Sequence, residues 1–178
     1  MSLTTDQRET VFVALYEQHY GAVHAYAARR VGLDAADEVV AETFLVAWRR
    51  FDTISQLSPL PWLYGVTRNV VLRHYDTTHR EALAREAAAH EPQPELRPDE
   101  AEDDALWDAW NRLRASDREV LALIAWEELT VAEAASALGW SAPQFSVRLF
   151  RARRRLERLL AEPGVSLPPE LPPERGLT

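Results

Sequence analysis

Apolar residues along this chain recur at helical spacing, and no stretch sustains the alternation of a half-buried strand. From Asp34 to Phe51, a turn of about 100° per residue puts Val40, Phe44, Ala47, Trp48 and Phe51 on one face, which predicts a helix with that face in a core. Asp34 is its expected N-cap, Asp37 and Glu38 suit the positive end of the helix dipole, and Arg49 and Arg50 suit the other end. The opposite stripe is Glu38, Glu42, Leu45 and Arg49, a leucine among charges. On an arbitrary helix such a stripe is a solvated face; its other reading is a docking surface for a basic partner helix.

A second helix is predicted from Pro61, a residue suited to a first turn, to Arg80, with Leu63, Val66 and Val70 inward. Arg68, Asn69, Arg73, His74, Tyr75, His79 and Arg80 interleave cations, an amide and an aromatic ring along it. These residue types bind phosphates and stack bases in single strands.

Punctuation is clearest towards the C-terminus. Ser116 to Glu119 and Thr130 to Glu133 fit the capping box, so helices are expected from about 117 and 131, the latter ending at Gly139. A third begins near Ser141. With Ser141 as N-cap, Pro143 is the second helical residue and Ser141 caps Gln144; with Ala142 as N-cap, Pro143 takes the preferred first position, the easier register. Short helix, glycine turn and basic helix form a helix-turn-helix, whose last helix enters a major groove. Phe145, Leu149, Ala152 and Leu156 make its inner stripe, and Val147, Arg151, Arg154 and Arg158 the outer one, with Phe150 at the flank.

Between the two parts lies EAAAHEPQPELRPDEAEDD, residues 86–104, whose three prolines among carboxylates suit a solvated linker. The expected organisation is all-α: a helical domain over 8–85, the linker, a helix-turn-helix domain over 105–161, and a Pro-rich disordered tail over 162–178.

Charge sharpens this picture. The net charge is -8, yet residues 141–158 hold six arginines against Glu157, and 81–133 hold five arginines against fifteen acids. A polyanion feels local charge, screened over about 10 Å, so an acidic total does not exclude nucleic acid. With no cysteine, disulfides, thiolate metal sites and cysteine nucleophiles are impossible. The first residues lack a signal-peptide pattern and no apolar run approaches a membrane span, so the chain reads as soluble and cytoplasmic, without membrane insertion. His19 and His24, like His74 and His79, are spaced five apart, off a common helix face. No metal motif, phosphate loop or nucleophile elbow occurs, so neither a cofactor nor an enzyme is expected.

The order LYEQHYGAVHAYAARR, DAADEVVAETFLVAWRRF, PWLYGVTRNVVLRHY, acidic linker, LRASDREVLALIAWEELTVAEAASALGWSAPQFSVRLFRARRRL resembles bacterial RNA polymerase sigma factors of the extracytoplasmic-function (ECF) type, over about residues 12 to 160. The resemblance implies two domains, sigma-2 and sigma-4, with core polymerase and promoter DNA as partners and, as a further family partner, an anti-sigma factor that no residue here identifies. It implies polymerase docking through Asp34, Glu38, Glu42, Leu45 and Arg49. It implies minus-10 base capture at Asn69 and the loop from Thr53 to Ser58, with Arg68 and Arg73 at the strand backbone. Phe150 and Arg151 match minus-35 reading positions, and Gln144, Val147, Arg148 and Arg154 complete the candidate minus-35 set on the same helix. Ser146 departs from the family where relatives often carry a basic residue, and SAPQF is a less typical helix entry. Two other readings stand beside this one: a conventional helix-turn-helix regulator, which leaves the Glu38 stripe and the Asn69 region without a task, and a sigma-like protein that binds polymerase or a regulator without reading a promoter.

Overall fold

Seven α-helices account for nearly all of the described chain, which in this computed structural model comprises residues 5–54, 58–85 and 104–162. They are α1 (Thr5–Val31), α2 (Leu33–Arg49), α3 (Pro59–Arg85), α4 (Asp104–Arg112), α5 (Ala115–Ala125), α6 (Val131–Leu138) and α7 (Ala142–Leu160), with a 3-10 turn at Phe51–Thr53. The expected linker lies outside the described residues except for Asp104, which opens α4, and the expected tail does so except for Glu162. No helix among the described residues is long and apolar enough to cross a membrane.

The first three helices pack around Val23, Ala27, Val39, Val40, Phe44, Phe51, Leu63 and Val70. The inward stripe read for α2 is the one that is buried, apart from Trp48, which is only partly covered. Two threonines cross this core safely: Thr43 and Thr67 each donate to the carbonyl four residues back at 2.8 Å, and their hydroxyls meet at 3.4 Å. Burying a hydroxyl costs little once its hydrogen bond is supplied. Asp34 is not the N-cap of α2. Gly32 is, at φ 80°, because reversing the chain from α1 into α2 in a single residue needs a left-handed backbone; Asp34 sits in the first turn, where its charge still favours the dipole.

In the second group, Trp110, Leu113, Val120, Leu121, Leu123, Phe145 and Leu149 form the core, floored by the Trp107, Trp110 and Trp126 rings. Thr130 caps α6 with the reciprocal Glu133 bond, which holds the Glu133 carboxyl below its ordinary pKa, and Gly139 ends α6 at φ 68°. At Ser116 the expected box does not form: α5 starts at Ala115 behind Arg114, and Glu119 turns away to another partner. The start of α7 also differs from the easier register. Ser141 is the N-cap and accepts from the Gln144 amide at 3.4 Å, while the Gln144 side chain accepts from the Ser141 amide at 3.1 Å. Pro143 is therefore the second helical residue, and the two reciprocal bonds outweigh the proline's preference for the first position.

Candidate nucleic-acid interface

Three faces presented by α2, α3 and α7 carry the candidate residues. On α2, Asp34, Glu38, Leu45 and Arg49 are exposed and Glu42 is half-covered, with Leu45 47% accessible. The helix repeat alone produces this face: the buried stripe around Phe44 consumes the apolar residues on the inner side and leaves one leucine among charges outside. Glu42 is engaged with Arg73 of α3 at 2.7 Å. The structure thus ties a residue of the expected docking stripe to one expected to serve the minus-10 strand.

On α3, Asn69 and Arg73 are exposed and Arg68 is partly so, while Leu63, Thr67, Val70 and Val71 face inward. Thr53 ends the 3-10 turn and Ser58 precedes α3; residues 55–57 of the expected capture loop lie outside the described residues. Tyr75 is less free than a base platform requires, because its hydroxyl donates to the Arg30 carbonyl on α1.

On α7 the inner stripe is Phe145, Leu149 and Ala152, with Leu156 half-buried, and everything expected to read DNA points out. Val147 and Phe150 are 50% and 64% accessible, an unusual outlay of apolar surface on a helix otherwise lined with arginine. Gln144, Arg148, Arg151 and Arg154 are exposed beside them. Arg148 stacks over Trp140 at 4.4 Å, a cation-π contact that fixes its direction. Arg155 is paired with Asp117 of α5, and Arg158 bonds the Arg154 carbonyl. Ser146 spends its hydroxyl on the Ala142 carbonyl at 2.9 Å. A groove between the start of α5 and α7 is lined by Arg114, Asp117, Gln144, Arg148, Arg151 and Arg155, with Asp117 and Arg155 paired across it.

Residues 15–81 match the family profile described as Sigma-70 region 2, and residues 103–156 match Sigma-70, region 4. The chain belongs to the sigma-70 family. Among curated relatives, the sigma factor NccH of Alcaligenes xylosoxydans xylosoxydans is 30% identical over 80% of this chain and 83% of its own length. The ECF sigma factor SigL of Mycobacterium tuberculosis is 30% identical over 86% of this chain and 90% of its own. The ECF sigma factor BldN of Streptomyces coelicolor is 31% identical, and the match spans 61% of its length. Among solved structures, the sigma factor RpoE of Bartonella quintana, in complex with the anti-sigma factor NepR, shares 25% identity at a TM-score of 0.63 and covers 84% of this chain and 96% of that one. CnrH in complex with the cytosolic domain of CnrY shares 28% identity at a TM-score of 0.59, covering 86% and 89%. This sigma factor is thus of the ECF type, a promoter-specificity subunit of RNA polymerase.

Sequence reasoning missed one cluster altogether, at the seam between the two domains of the sigma factor. Arg29 and Arg30 of α1 face Glu127, just past α5, at 2.5 and 3.5 Å, and Arg30 also bonds Glu119 at 3.0 Å. The Tyr26 hydroxyl donates to Glu119 at 2.7 Å, the Arg30 guanidinium lies 3.4 Å from the Tyr26 ring, and Tyr26 stacks on Tyr64 at 4.8 Å. Burial and the adjacent carboxylates push both tyrosine hydroxyls well above their ordinary pKa, so they remain donors. Nothing local marks these residues: Glu119 sits where a capping box would use it, and Glu127 lies in an unremarked turn.

Proposed function

We propose that this sigma factor docks on core polymerase through Asp34, Glu38, Glu42, Leu45 and Arg49, captures unstacked minus-10 bases at Asn69 between Arg68 and Arg73, and reads minus-35 duplex with Gln144, Val147, Arg148, Phe150, Arg151 and Arg154. The observation that carries this reading is the exposed apolar residue within the charged faces of α2 and α7: Leu45 beside acids on α2, Phe150 and Val147 among arginines on α7. Exposed apolar groups inside charged rims are the anatomy of contact surfaces.

The chemistry is binding alone, without a catalytic step. The acids of α2 suit a basic partner helix, and Leu45, exposed here, would contribute affinity on being covered by that partner. Unstacking a minus-10 base costs a few kcal/mol, which contacts to the extruded base at Asn69 and to its phosphates at Arg68 and Arg73 would offset. On α7, guanidinium groups suit phosphates and guanine edges, and Phe150 and Val147 suit a thymine methyl. RpoE of Bartonella was solved with an anti-sigma factor, which supports such a partner for this chain; its site of action would be the cytoplasm. Mixing the protein with core polymerase and genomic DNA and sequencing transcript 5′ ends should give a defined set of start sites sharing two upstream elements. Start sites no different from those of core polymerase alone would sink the proposal.

A further inference from the structure

The capping box that opens α7 limits what its first outward residue can offer a base. A glutamine in a major groove ordinarily meets adenine with both ends of its carboxamide, the oxygen accepting from N6 and the nitrogen donating to N7. In this protein the oxygen is already engaged. Gln144 Oε1 accepts from the Ser141 backbone N–H at 3.1 Å, and only an oxygen can fill that place, because an amide nitrogen is no acceptor. The other end of the exposed Gln144 carboxamide is Nε2, which only donates. Its neighbours carry the same restriction. Val147, three residues on and adjacent on the helix surface, is apolar and half exposed. Arg148, held over the Trp140 ring at 4.4 Å, and Arg151 are exposed donors without an acceptor atom. Among the described residues lining the adjoining groove the one carboxylate is Asp117, and it is paired with Arg155. Between Ala142 and Arg154 the other side-chain acceptor is Ser146, whose hydroxyl donates to the Ala142 carbonyl. It lies about 140° round the helix from Arg151, away from this face.

We propose that Gln144 and Val147 together select thymine in the minus-35 duplex, and that the capping box is what excludes adenine there. The inference rests on the minus-35 reading by α7 proposed for this chain. Thymine's major-groove edge carries an acceptor, O4, beside the C5 methyl, and so matches an N–H donor held beside an exposed valine. Adenine would set its N6 amine against that donor, and pairing it would require the cap to open. Cytosine places an amine, N4, where thymine has O4, and lacks the methyl. Guanine supplies O6 to the donor but leaves Val147 uncovered; its paired acceptors suit the Arg148 and Arg151 guanidinium groups instead.

The test uses full-length protein with core polymerase on a promoter taken from the mapped start sites, each minus-35 pair being replaced in turn by the other three. The pair at which Gln144→Ala flattens the preference is the one Gln144 contacts. There the wild type should favour thymine over cytosine or adenine on the contacted strand on the order of tenfold. Two atom changes separate thymine reading from adenine reading within the same pair. Uracil in place of thymine, which removes the methyl facing Val147, should lower transcription about fourfold; 7-deazaadenine in place of the partner adenine, which removes N7, should leave it unchanged. Gln144→Glu keeps an oxygen for the Ser141 N–H, and with it the cap, but turns an acceptor outward. Its preference should switch from thymine to cytosine, whose N4 takes the place of O4. The readout is the ratio between templates, which the added charge lowers equally. A loss with 7-deazaadenine and none with uracil, a Gln144→Glu variant that retains thymine, or a Gln144→Ala variant with the wild-type profile would overturn the inference and leave minus-35 reading in place. Wild-type transcription indifferent to every minus-35 substitution would overturn reading by α7 and this inference with it.

Discussion

The guanidinium of Arg73 on α3 lies 2.7 Å from the carboxylate of Glu42 on α2, so the face proposed to meet polymerase and the helix proposed to hold the minus-10 strand share an ion pair. Both side chains are substantially exposed, and such a pair stabilises a fold by under about 1 kcal/mol. Its consequence should lie in function. A double-mutant cycle of Glu42→Gln and Arg73→Gln should be nearly additive in thermal stability yet non-additive, by about 0.5 kcal/mol or more, in promoter opening measured by permanganate reactivity of minus-10 thymines. Additivity in both would mean the two faces act independently.

Leu45→Arg should weaken binding to core polymerase at least roughly tenfold, the effect of about 1.4 kcal/mol, and leave the melting temperature unchanged, since Leu45 touches solvent and Phe44 beside it makes the core. Equilibrium titration of labelled protein with core enzyme tests this. Wild-type affinity in the variant would remove α2 from the docking surface.

Arg151→Ala should cost about 1–3 kcal/mol of discrimination at one minus-35 position, because a guanidinium paired with guanine cannot be replaced by methyl. Phe150→Ala should lower affinity for the consensus without that sharp positional loss. Run-off transcription from a panel of single-base minus-35 substitutions separates the two; identical profiles for both variants would count against direct reading by Arg151.

His19 is buried and burial lowers its pKa. In the unfolded chain the imidazole titrates near its ordinary value of about 6.5, so on acidification the unfolded state takes up the proton first. Stability is therefore intact above about pH 6.5 and falls as pH drops from there towards the lower folded-state pKa, with no further loss from this group below it. His19→Leu should flatten that part of the profile in urea titrations at pH 7.5, 6.5 and 5.5. A slope indistinguishable from wild type would assign it to other groups.

Ser141→Ala removes the hydroxyl that accepts from the Gln144 amide and should destabilise the sigma-4 domain by about 1 kcal/mol. Because Pro143 sits at the second helical position behind this cap, fraying at the start of α7 should also weaken minus-35 binding. Amide exchange at Phe145, faster in the variant, would confirm the site of the effect; unchanged protection there would contradict it.

The helical class, the inner and outer faces of α2 and α7, and the Thr130 cap were all legible in the sequence, because each depends on contacts within a few residues: a repeat of 3.6, or a side chain reaching its own helix end. Local rules failed where a distant partner competed. Glu119 gave up its expected cap for Tyr26 and Arg30, some ninety residues earlier, and Asp34 lost the N-cap to the chain reversal at Gly32. Helices α1 and α4 were implied by the helical class without being delimited. The sequence by itself determined which residues each helix keeps inside and which charges it leaves outside. Only the tertiary structure decided which of those charges meet one another, because the pairing of Arg29 and Arg30 with Glu127 across the seam depends on how two helical groups pack, and no periodicity within either group encodes that.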